Sequence, residues 1–76
     1  MKTFYINSCD LEKWIFQNKA VVLDCLEGCL LDNLLLECKR GYAAIYEHYL
    51  NSNSSNYLVI FSNSYAALEN DFYKLV

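Results

Sequence analysis

The chain has 76 residues, of which 55% are apolar, and nine carboxylates against six Lys and Arg give it a formal net charge of −3. A chain this short forms one domain and buries only roughly 60 to 65% of the surface its unfolded form exposes, so part of the apolar excess must sit near the surface, where it suits a homodimer or a hydrophobic partner. The negative balance is the wrong sign for direct phosphate binding, and no apolar run approaches the about 18 residues of a membrane-spanning helix.

The opening stretch, MKTFYINSCDLEKW, lacks the apolar core of an export signal. A soluble, cytoplasmic chain is expected, and its four cysteines are then expected as thiols in a reducing compartment.

Residues 2–8, KTFYINS, mix aromatic and β-branched side chains and read as a strand. In SCDLEKWIFQN, Ser8 or Asp10 is placed to cap a helix whose Leu11, Trp14, Ile15 and Asn18 share one face. KAVVLDCLEG then reads as a strand with Val21, Leu23 and Cys25 on one side, ending in a turn at Glu27-Gly28.

Residues 29–50 admit two readings. Leu31, Leu35, Cys38, Tyr42, Ile45 and Tyr49 follow a 4-3-4-3-4 spacing compatible with one long helix. Against it, a type I turn over Lys39 and Arg40 with a left-handed Gly41 makes a three-residue hairpin that sets Cys38 opposite Tyr42. Gly41 inside a helix would cost about 1 kcal/mol relative to alanine. The hairpin is preferred. Its register puts Leu34, Leu36, Cys38, Tyr42, Ala44 and Tyr46 on one face and Glu37, Ala43 and Glu47 on the other.

A meander of strands near 31–38, 42–50 and 57–62 follows, with NSNSSN (51–56) as a polar loop. Asn63 or Ser64 then caps a terminal helix, YAALENDFYKLV, with Tyr65, Leu68, Phe72 and Val76 on its apolar face. The sequence therefore implies a single α+β domain over 1–76, ordered β-α-β-β-β-β-α. Its expected form is two layers, an antiparallel sheet with both short helices on one face and the other face open.

His48, the single histidine, is a candidate acid or base. Its neighbour Glu47 points to the opposite side of an extended strand, and no cysteine stands at a signature spacing from it. Cys25, Cys29, Cys38 and His48 are the right ligand types for zinc, but only Cys25 and Cys29 are closely spaced. No catalytic residue, metal ligand or cofactor is assigned.

The tyrosines carry the strongest signal, since Tyr offers contact area and a polar tip at modest entropic cost. Four of the seven lie between residues 41 and 61. The reading is a non-enzymatic protein-binding module acting through an aromatic, mildly acidic open sheet face, with Glu37, Tyr46, Glu47 and Tyr57 as partner-binding residues. Size and charge suit a phage or mobile-element inhibitor of a basic nucleic-acid-binding enzyme, such as a CRISPR effector. The alternatives are a small metal- or thiol-dependent protein built on the cysteines and His48, and a self-assembling structural protein.

Overall fold

A computed structural model describes residues 2–26, 33–51 and 54–74, the side chains of 47–51, 54 and 55 excepted. Seven elements follow one another as β1 (Lys2–Asn7), α1 (Ser8–Gln17), β2 (Val21–Leu26), β3 (Asn33–Cys38), β4 (Gly41–Asn51), β5 (Ser54–Ser62) and α2 (Tyr65–Tyr73). The protein is α+β, with the element order that the sequence implies. The five strands form one sheet, ordered β1-β5-β4-β3-β2, and every pairing is antiparallel. Residues 33–38 and 41–51 are strands, so one long helix over 29–50 is not formed.

The layering differs from the expectation. Leu11 of α1 packs on Leu36, Cys38, Ala43, Ile45 and Val59. Leu68 and Phe72 of α2 pack on Leu35 and Ala44. Ala43 and Ala44 are neighbours on one strand, and neighbouring strand residues point to opposite sides. The two helices therefore cover opposite faces, and the sheet is the middle of three layers. The cause is composition: adjacent Leu35 and Leu36 are both fully buried, as are Ala43, Ala44 and Ile45. Central strands that are apolar on both sides need cover on both sides.

The hairpin register is also shifted from the expected one. Cys38 pairs with Gly41 and Glu37 with Tyr42, so the turn holds only Lys39 and Arg40. This one-residue change moves Ala43 and Ile45 onto the face of Leu34 and Leu36, and Tyr42, Ala44 and Tyr46 onto the face of Leu35. Gly41 serves as extended strand rather than as a left-handed turn residue. What requires glycine there is space, since a Cβ would lie 2.8 Å from the Ser62 carbonyl oxygen and 3.0 Å from the Phe61 ring.

β1 runs into α1 with no intervening loop. Asn7 ends the strand and caps the helix, its Oδ1 accepting from the Asp10 amide at 2.9 Å, so the cap is neither Ser8 nor Asp10. The helix closes with a Schellman motif: the Ala20 amide donates to the Ile15 carbonyl and the Lys19 amide to that of Phe16. Lys19 takes the left-handed position, at φ 49°, the only described non-glycine residue with positive φ. The Asn18 carbonyl then accepts from the Lys39 amide at 2.9 Å, which ties the end of α1 to the β3–β4 turn.

In β2 the register with β3 slips between Val22 and Asp24, leaving Leu23 as an extra residue. Val22 and Cys25 therefore oppose Leu36 and Leu34, while Val21 and Asp24 fall on the α2 face. The expected alignment of Val21, Leu23 and Cys25 is lost to the bulge. Within the polar segment, Asn51 and 54–56 are strand, because pairing of Asn51 with Ser54 and of Tyr49 with Ser55 carries the β4–β5 ladder into it. Tertiary pairing here overrides turn preference. Ser64 caps α2 as expected, accepting from the Ala67 amide at 3.4 Å. The turn at Glu27-Gly28 and the position of Val76 lie outside the described residues.

Candidate protein-binding face

The four residues singled out in the sequence do not share one surface. Glu37 is exposed on β3, opposite Val21 on one side and Tyr42 on the other, on the α2 face. Tyr46 lies on the same face, half-buried beneath α2 with its ring 6.2 Å from that of Phe72. Burial, and then the charge of Asp71, push its hydroxyl above the ordinary range. Tyr57 lies on the other face, packed with the cluster under α1. Glu47 pairs with Tyr57, and its side chain lies outside the described residues. An open face carrying all four does not exist, because each face holds a helix.

What the structure gathers instead lies around α2. Asp24 on β2 accepts a 2.6 Å hydrogen bond from the Tyr73 hydroxyl through Oδ2, while its Oδ1 accepts from the Cys25 amide at 2.8 Å. These two bonds, the tyrosine first, hold its carboxyl below the ordinary range. The reverse effect acts on Tyr73, whose hydroxyl is pushed up to about 12 chiefly by the bond to Asp24. Glu69 stands one helical turn before Tyr73, and its charge adds to that shift.

At the other end of α2, Tyr65 meets Tyr42 edge to face at 5.2 Å, and Tyr42 is the register neighbour of Glu37. Asp24 and Glu37 thus lie on the sheet face that α2 covers, and Glu69, Asp71 and Tyr73 stand on α2 itself. Lys74, the single base in the helical segment 65–74, pairs with Asp71 at 3.7 Å. These carboxylates and tyrosines thus stand on and beside a helix rather than on bare sheet.

The sequence offered one sign of this. Asp24 is a lone carboxylate inside the apolar run VVLDCL, and such a residue needs a partner or an edge. Tyr73 was missed because its role depends on a contact 49 residues away.

A zinc site from Cys25, Cys29, Cys38 and His48 does not fit the sheet. Cys25 is opposite Leu34 and Cys38 is itself four residues further along β3, about 13 Å at the rise of a strand. Two thiolates on one zinc ion must lie far closer. Among the described residues, no group of three or more His, Cys, Asp or Glu is placed to hold a metal ion. Cys29 and the His48 side chain lie outside them. Cys38 is buried, and burial followed by the charge of Glu37 pushes its thiol up. Among the described residues, no helix is long and apolar enough to cross a membrane. Comparison with family models, curated proteins and solved structures finds no match.

Proposed function

We propose that this chain is a small non-enzymatic protein-binding module that engages a basic protein through the acidic, tyrosine-bearing face around α2. The observation that carries the reading is the Tyr73–Asp24 bond. It fixes an exposed ring in one orientation beside Glu69, with Glu37 on the flanking strand. A ring already held in place loses less freedom on binding, and carboxylates set around it steer a positively charged partner. A nucleic-acid-binding enzyme presents such a basic surface, and occupying it would block its substrate. That is the form in which the inhibitor reading from size and charge is retained.

The test is capture from nuclease-treated native host lysate, comparing the tagged chain with a Glu37→Lys/Glu69→Lys variant. The reading expects one stoichiometric basic protein with the first and its loss with the second. Equal recovery by both would place the binding surface elsewhere.

A further inference from the structure

Independently of the acidic face, we infer that the β2 edge binds a second copy of this chain, joining two five-stranded sheets into one of ten strands. β2 ends the sheet, so among the described residues no strand faces the outer side of Val21–Leu23. Three consecutive apolar residues occupy that edge, with Val21 62%, Val22 52% and Leu23 44% exposed. Edge strands usually carry a charge or a proline as protection against pairing, and neither occurs from Ala20 to Leu23. The opposite edge does carry a charge, since β1 exposes Lys2 together with Thr3, Tyr5 and Asn7.

Charge selects a second copy as the occupant. An antiparallel pairing of β2 with itself, about a two-fold axis perpendicular to the sheet, joins residues of the same face. With the axis at Val21, Val21 meets Val21, Val22 meets Ala20, and Lys19 of each copy falls opposite the Leu23–Asp24 bulge of the other. The edge is therefore complementary to itself in charge, twice over by symmetry, and its centre is apolar. The Leu23 bulge limits the new ladder to the first half of β2.

Edge pairing alone covers little area. An adjoining cleft of about 490 Å³, lined by Glu12, Ile15, Phe16, Lys19 and Ala20, continues the apolar strip from Ala20 onto α1. Phe16 there is 84% exposed, the largest exposure among the big apolar side chains described. Covering Phe16 and this cleft adds apolar contact to the strand pairing, as a stable interface needs.

Sedimentation equilibrium of the untagged chain at about 50 μM, a concentration at which a micromolar dimer is populated, tests this. The expected mass is twice that of the 8.9 kDa chain. Val22→Lys, at an exposed position, should raise the dissociation constant roughly tenfold or more, with the circular dichroism spectrum unchanged. Lys19→Glu, which sets a carboxylate opposite Asp24, should weaken the dimer, and added salt should relieve part of the loss. A monomeric wild-type chain, or a dimer indifferent to Val22→Lys, would overturn the inference. Neither result touches the capture experiment, whose variants lie at Glu37 and Glu69.

Discussion

Lys19 is a residue whose identity and conformation disagree. The Schellman motif that ends α1 asks for a left-handed backbone, which costs an L-residue of ordinary size roughly 1–2 kcal/mol. Lys19→Gly is expected to stabilise the fold by about 1 kcal/mol, less the added freedom of glycine in the unfolded chain, measured as a rise in the urea midpoint. Gly41→Ala should act in the opposite sense. Its Cβ meets backbone at 2.8 Å and has no flexible side-chain end to displace, so a loss of about 1–3 kcal/mol is expected in the same assay.

The Tyr73–Asp24 pair makes a pH prediction of its own. Tyr73 is raised from 10 to about 12, so its contribution to stability is complete below pH 10 and is lost as the pH rises through 12. Asp24 is lowered, so its contribution is complete above its ordinary value of 3.8 and is lost as the pH falls through the folded value. In an ultraviolet titration of tyrosinate, one ionisation near pH 12 should disappear in Tyr73→Phe and move down in Asp24→Asn. An unchanged profile in Tyr73→Phe would show that the bond does not persist in solution.

At the scale of elements, each helix is held by a small number of apolar anchors. Leu11 serves α1, and Leu68 and Phe72 serve α2, with Phe72 fully buried. Phe72→Ala is expected to cost about 3–5 kcal/mol. The helices and the five strands were legible in the sequence, since each has its own periodicity, apolar run or cap. The layering was legible too, but in a different signal. LLL at 34–36, AAI at 43–45 and LVI at 58–60 are continuous apolar runs, the mark of strands covered on both faces. Alternation inferred from an assumed turn concealed that mark. The turn itself was beyond local reasoning, because Gly41 answers to the carbonyl of Ser62, twenty-one residues further on. The candidate face suffered most, since the β4–β5 pairing sets Tyr46 against Leu58 and so leaves Tyr57 on the other side of the sheet.

At the scale of the molecule, two apolar clusters lie on either side of one sheet and share its central strands. Thermal or urea unfolding should be a single transition by far-ultraviolet circular dichroism and by tryptophan fluorescence from Trp14. Leu11→Ala and Phe72→Ala act on different faces and share no partner. Their effects are expected to add within about 0.5 kcal/mol in a double mutant. A large departure from additivity would mean that the sheet transmits repacking from one layer to the other.

The place of β1 bears on how the chain is made. Strands β2 to β5 pair in order of sequence, so these four strands can assemble as they emerge from a ribosome. β1 cannot join them in order of synthesis. Among the described strands it pairs with β5, with Ile6 set against Tyr57 and Lys2 against Phe61. The first strand made must wait for the last, and α1 waits with it, because the surface it covers includes Val59 of β5. Closing that loop of about fifty residues is the costly step in contact order. Nascent chains stalled before residue 54 should thus remain open to protease within residues 2–17, and those long enough to free β5 from the exit tunnel should not.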